Sequence, residues 1–194
     1  MKLLRTIALD PSDTFVFDVA AEPGDWAVSG AFRFCDRDPA DLAGKERAAF
    51  RGGFLGVQSW GWSSLVQIVP ATEEDRHALV ELLAGRLVEK FGAPDLATAR
   101  PAAEEEVAFA ESLCTHPISS LIAVHRAVSD GEVRESFRRL QLKEGQDRHS
   151  KAFSFMEIVD DDAPGSRRAD EGLLDLLRPP PARSQRQRGA GRDR

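Results

Sequence analysis

The sequence predicts an α+β fold, a mostly antiparallel sheet with two main helices packed on one face. Two observations carry this. The β-rich runs lie toward the two ends of the patterned region, with two helical segments between them, rather than alternating strand by helix. Short stretches rich in Asp, Pro and Gly separate several neighbouring β-rich runs, and such stretches favour tight turns and hence antiparallel pairing.

Leu3–Leu9 and Thr14–Val19 are β-rich and are joined by Asp10-Pro11-Ser12-Asp13. Pro presets its φ, while Asp and Ser bond nearby backbone amides, so a hairpin is expected. Glu22-Pro23-Gly24-Asp25 is the next turn. After it Trp26, Val28, Gly30, Phe32 and Phe34 alternate with Ala27, Ser29, Ala31, Arg33 and Cys35, which predicts a strand with a buried aromatic face. Asp38 and Pro39 suit the cap and first position of a short helix that runs to about Phe50 and stops at Gly52-Gly53. From Phe54 to Trp62, glycines interleave with aromatic and aliphatic residues, as in a packed loop. Ser64–Val69 follows as a strand closed by Pro70.

The main helices come next. Thr72 and Asp75 are spaced to satisfy each other's backbone amides, and Leu79, Val80, Leu83, Leu87, Val88 and Phe91 then line one face. Gly92 and Pro94 end that helix. A second helix lies within Leu96–Thr115, its start placed near Pro101 so that Glu104-Glu105-Glu106 meets the positive end of the macrodipole. His116-Pro117 ends it. Ser120–Val128 and Glu132–Leu140 form a hairpin around Asp130-Gly131, where Gly accepts the positive φ of the turn. Ala152–Val159 is the last strand expected. Leu173, Leu174, Leu176 and Leu177 suggest a helical turn or a docking segment. One domain over 1–160 and a disordered Pro/Arg-rich tail over 161–194 result, because the tail has too few apolar residues to offset ordering entropy.

Charge separates the two parts. Residues 178–194 hold six Arg and one Asp, a balance of +5, which leaves −11 on the rest of a chain whose net charge is −6. An acidic body argues against nucleic acid as a partner of the folded domain. No apolar run reaches the ~20 residues of a membrane span, and the apolar stretch after Lys2 is too short for an export signal. The two cysteines, Cys35 and Cys114, form no CxxC pattern, so reduced thiols in a cytoplasmic protein are expected.

Candidate chemistry is sparse, and the residues call for no cofactor. Trp60 and Trp62 flank Gly61 near Phe54, and these three aromatics are the candidate partner-binding surface, since indoles contribute large contact area at small entropic cost. Core packing explains them as well. Arg126, Arg134 and Arg138 are the candidate anion clamp, set against a plain exposed sheet face carrying Arg139, Glu132 and Glu135 too. Cys114, His116 and His125 are the alternative site, for a metal or for a thiol assisted by His. A structural zinc needs four ligands, and Cys114 on an apolar helix face packs equally well as a small buried side chain. Cys35, between Arg33 and Arg37, lies in no nucleophile motif.

Lys2-Leu3-Leu4-Arg5-Thr6-Ile7, Asp13-Thr14-Phe15-Val16-Phe17, Glu22 through Phe32, Phe54-Leu55-Gly56 and Leu121 through Arg126 resemble an uncharacterised family of short bacterial proteins over about residues 1–160. The family has no assigned activity and transfers no catalytic residue. The resemblance implies an accessory role beside a redox enzyme or its cofactor assembly. A non-enzymatic binding protein with a protein partner is therefore the expectation, with a small enzyme or metal-binding protein as the alternative.

Overall fold

The computed structural model describes residues 1–129 and 132–142 together with two short strands at 156–159 and 167–168. The elements are β1 (Lys2–Thr6), α1 (Ser12–Val16), β2 (Trp26–Val28), a 3-10 turn (Ala31–Phe34), α2 (Gly44–Gly52), β3 (Phe54–Gly56), β4 (Trp62–Ser63) and β5 (Val66–Pro70). They continue with α3 (Glu73–Phe91), α4 (Leu96–Ser112), β6 (Leu121–Ser129), β7 (Glu132–Leu142), β8 (Met156–Val159) and β9 (Arg167–Arg168). One curled sheet runs β4-β3-β2-β1-β5-β6-β7-β8, every named pairing antiparallel, and β9 also pairs with β7. This is the α+β architecture that the sequence predicts.

Successive residues of a strand point to opposite faces. Leu3 and Leu4 are nevertheless both fully buried, so the middle of the sheet is covered on both sides. α3 packs on α4, and α4 lies against β1 and β2. The α4 contact face is built of Ala99, Ala102, Ala103, Val107 and Ala110, small residues that let the helices approach closely. α3 contributes Leu79, Val80, Leu83, Ala84 and Leu87. Burying each of its leucines stabilises by about 1.5–3 kcal/mol. The ends of α3 follow local chemistry: Thr72 Oγ1 accepts from the Asp75 amide at 3.1 Å, the Asp75 carboxylate accepts from the Thr72 amide at 2.9 Å, and Gly92 takes φ 70°.

Several expectations are corrected. Thr14–Val19 is no strand, and it forms no hairpin with β1, which ends at Thr6 rather than Leu9. The Asp10 carboxylate accepts from the Ser12 amide, and the Phe17 amide donates to Asp13 O, winding the segment into α1. Asp13 in turn accepts from the amide and hydroxyl of Ser64. The strand expected from Trp26 to Phe34 stops at Val28. Gly30 turns the chain at φ +76° and donates its amide to the Glu106 carboxylate at 2.9 Å, while a Cβ there would lie 2.5 Å from Leu55 Cβ. Phe32 and Phe34 still reach the core, from a 3-10 turn.

Asp38 accepts from the Ala40 amide and closes a turn, so α2 starts only at Gly44. Phe54–Trp62, expected as a loop, pairs as the β3–β4 hairpin, with Leu55 opposite Trp62. α4 starts at Leu96, capped by Asp95, whose carboxylate accepts from the Thr98 amide at 2.8 Å. Pro101 therefore sits inside the helix and costs it one backbone donor. Buried Ala99, Ala102 and Ala103 hold the helix on both sides of it. The β6–β7 register pairs Ser129 with Glu132 across Asp130-Gly131, two residues that lie outside the described ones. So do 152–155, Leu173–Leu177 and most of the expected tail. Arg167 and Arg168 are the exception, pairing with Glu135 and Arg134.

Candidate functional site

The three aromatics proposed from sequence as a partner surface do not share one environment. Phe54 is fully buried against Phe137, and Trp62 is 6% exposed, its ring stacked on Phe34 with centroids 5.3 Å apart. Trp60 is half-buried beside Phe32 and Phe91. The loop between β3 and β4 is held rigidly. The buried Asp25 carboxylate accepts from the amides of Gln58 and Ser59 and from the Ser59 hydroxyl, at 3.1, 2.8 and 2.8 Å. Trp60 takes φ 58°, and a Cβ on Gly61 would lie 2.5 Å from the Ala20 carbonyl oxygen. The Arg33 guanidinium lies 5.1 Å from the Trp62 ring and 5.4 Å from the Trp60 ring. Burial pushes the Arg33 pKa down, against the opposing charge of Glu46. The aromatic loop is a packed wall.

The three candidate anion-binding arginines divide between the two faces of the sheet. Arg134 and Arg138 are exposed on one face. Arg126 is 0% exposed on the other, where Ile122 and Val124 also point. Its Nε donates to Glu135 Oε1 at 2.7 Å, and Glu135 is the residue directly opposite on β7. Nη1 donates to the carbonyls of Phe50 and Gly53 at 3.0 and 2.8 Å, and Nη2 to the Ser29 carbonyl and hydroxyl oxygens at 2.5 and 3.0 Å. The Ser29 hydroxyl donates to Glu135 Oε1. Arg126 thus places a cation on the carbonyl end of α2, where the macrodipole favours one. It is a buried tie between β6, β7, β2 and α2, and does not converge with Arg134 and Arg138.

Cys114, His116 and His125 are likewise separated. Cys114 is buried and its thiol donates to the Ala110 carbonyl at 3.4 Å, while burial pushes its pKa up to about 12. Such a thiol is inert at neutral pH. His116 is half-buried at a shallow depression lined also by Ser112, Thr115, Ile122, Phe137 and Arg139. Its carbonyl accepts from Lys2 Nζ at 2.7 Å. His125 is exposed on the face of β6 opposite Ile122. Among the described residues no three His, Cys, Asp or Glu side chains gather to hold a metal ion, and no helix is long and apolar enough to cross a membrane.

A different surface emerges from the segment expected to be a strand. Leu9 is 51% exposed, Phe15 76% and Val19 54%, with Val16 exposed beside them. These are four large apolar side chains within eleven residues. Elsewhere among the described residues, exposed large apolar side chains are scattered singly at Met1, Leu96, Ile118 and Val128. Asp10 and Asp18 within the segment and Glu22 just beyond it are exposed carboxylates, and exposed Lys45 is bonded to the segment. The Asp10 pKa is held below its usual value by hydrogen bonds from Ser12. The segment is fixed in place: Phe17 is buried, Lys45 Nζ of α2 donates to the Phe17 carbonyl at 3.2 Å, and the Trp62 amide donates to the Val19 carbonyl at 2.8 Å. One signal was available in the sequence. Phe15, Val16 and Phe17 are consecutive, and in neither a strand nor a short helical turn do three successive side chains share one buried side.

A family model described as a family of unknown function (DUF6505) matches residues 1–157. A search of curated proteins and a search of solved structures found no match.

Proposed function

The chain belongs to that family of unknown function, which brings no activity with it, and we propose from the geometry that it is a non-enzymatic binding protein that receives a protein partner on Leu9–Val19. The observation that carries this is the concentration of Leu9, Phe15, Val16 and Val19 at the surface, on a segment pinned by Phe17, Asp13 and Val19. A concentration of exposed apolar side chains on one segment supports an interaction site, whereas single exposed residues do not. The exposed carboxylates of Asp10, Asp18 and Glu22 favour a partner segment that is apolar and flanked by Lys or Arg, and the negative body adds long-range attraction for it. The same negative charge works against nucleic acid on the folded part. Neither Cys35 nor Cys114 is in a disulfide, which suits a reducing, cytoplasmic setting. An accessory role beside a redox enzyme or its cofactor assembly is the finer form of this reading.

Capture from native lysate tests it with three forms of the full chain: unchanged, Phe15→Asp, and Val128→Asp as a control at an isolated exposed residue. The unchanged and Val128→Asp chains should retain the same saturable partner, and Phe15→Asp should lose it. Since Phe15 is mostly exposed, its substitution should move stability by no more than about 0.5 kcal/mol. Equal capture by all three forms, or capture by none, refutes the reading.

A further inference from the structure

The partner chemistry required by Leu9–Val19, apolar residues flanked by basic ones, occurs within this chain. Leu173, Leu174, Leu176 and Leu177 are followed by Arg178, Arg183, Arg186, Arg188, Arg192 and Arg194. We propose that Leu173–Arg194 binds the Leu9–Val19 segment of its own chain and covers it until a partner displaces it. The proposal rests on the reading of Leu9–Val19 as a docking surface.

Charge and reach support it. Leu173–Arg194 holds six Arg and two Asp, a balance of +4 against −10 on the rest of the chain, and Asp10, Asp18 and Glu22 are exposed within or just beyond the apolar segment. The last described strand, β9, pairs with Arg134 and Glu135 of β7. Glu135 is bonded to Arg126, Arg126 holds the carbonyl end of α2, and Lys45 near the other end of α2 bonds the Phe17 carbonyl. A nine-residue helix such as α2 is about 13 Å long. Nine residues of extended chain carry Leu177 up to about 30 Å from Arg168, more than twice that length. The arginines beyond it reach farther still. Tethering makes the encounter intramolecular, with an effective concentration on the order of 1 mM, so even a weak contact is populated. A partner must then compete with the chain's own end, which lowers its apparent affinity by the fraction of uncovered surface.

Paramagnetic broadening in the full chain tests the contact. A nitroxide is placed at Ser184→Cys in a Cys35→Ser background, where buried Cys114 stays unlabelled. The amides of Phe15, Val16 and Val19 should lose at least about half their intensity, independent of protein concentration, while those around Ile118 and Val128 should not. Reversing Arg183, Arg186 and Arg188 to Glu, or changing the four leucines to Ser, should restore the signals. Absence of broadening at 15–19, or broadening spread evenly over the surface, overturns the proposal. Broadening that appears only when spin-labelled and isotope-labelled chains are mixed also overturns it, because the occupant is then a second copy. Capture that depends on Phe15 without broadening sinks this proposal alone. Capture indifferent to Phe15 sinks the docking reading, whatever the nitroxide shows.

Discussion

Replacing Arg126 by Met deletes the donor set of a fully buried side chain while roughly keeping its length. Glu135 Oε1 keeps only the Ser29 hydroxyl, and Glu135 Oε2 has no hydrogen-bond partner among the described residues. The carbonyls of Ser29, Phe50 and Gly53 lose donors 2.5–3.0 Å away. Removing one member of a buried ion pair costs about 3–5 kcal/mol, because the other charge stays desolvated. Each carbonyl left unsatisfied adds to this, so about 4 kcal/mol or more is expected, a large share of a typical 5–15 kcal/mol. Urea unfolding followed by tryptophan fluorescence reads it. The double variant Arg126→Met/Glu135→Leu removes both charges and should lose clearly less than the single one. A loss below about 1 kcal/mol in the single variant, or a double variant no better than the single, would refute a buried charge pair as the tie between sheet and α2.

Three further outcomes are expected. Trp62→Ala should cost about 3–5 kcal/mol, as for a large core aromatic, and half-buried Trp60→Ala distinctly less; equal losses in urea melts would contradict the packing described. Under native conditions at pH 8 iodoacetamide should modify Cys35 and spare Cys114, with both reacting in guanidinium, and mass spectrometry after peptide digestion counts the sites. Asp75 and Asp95 have pKa values held below 3.8, by the Thr72 amide and the Thr98 amide first of all. Each therefore contributes stability that is full above its unfolded pKa and lost as pH falls through the lower folded value. Asp95→Asn keeps an N-cap acceptor and removes the titration, so its urea midpoint should fall less than that of the unchanged chain between about pH 5 and about pH 2.

What could be read from the sequence was local. The ends of α3 depend on Thr72, Asp75 and Gly92, residues that act within five positions of where they stand, and they appear as expected. The β6–β7 hairpin was legible for the same reason. Gly30 was not, because its turn is set by Leu55, Trp62 and Glu106, distant in sequence. Thr14–Val19 has β-rich composition, yet hydrogen bonds at Asp10 and Asp13 wind it into a helical turn, and composition carries no trace of the tie to Ser64. Arg126 is the instructive case. Alternation along Ile122, Val124 and Arg126 puts the cation on the apolar face, and alternation back from Phe137 does the same for Glu135. The sequence holds that signal, but general expectation of exposed arginine outweighs it unless the opposite carboxylate is considered together with it.

The buried pair and the exposed segment are connected through α2. Arg126 and Glu135 face each other across β6 and β7, so a slip of one residue in either strand would send that strand's ion to the solvent face. A pair of this kind is weak support for stability but strongly disfavours the wrong register. The same guanidinium holds the carbonyls at the end of α2, and Lys45, one residue into α2, holds the Phe17 carbonyl. α2 is thus fixed at one end by the sheet, and at the other it fixes the segment that exposes Phe15 and Val16. Phe17 turns inward to the core at the same point, so the short helical turn cannot fold its other apolar residues away. The backbone of the segment at Phe17 is thus linked to β7 through Arg126 and α2. With Phe17 taken inward, Phe15, Val16 and Val19 stay exposed on a segment whose chain is held at Asp13, Phe17 and Val19.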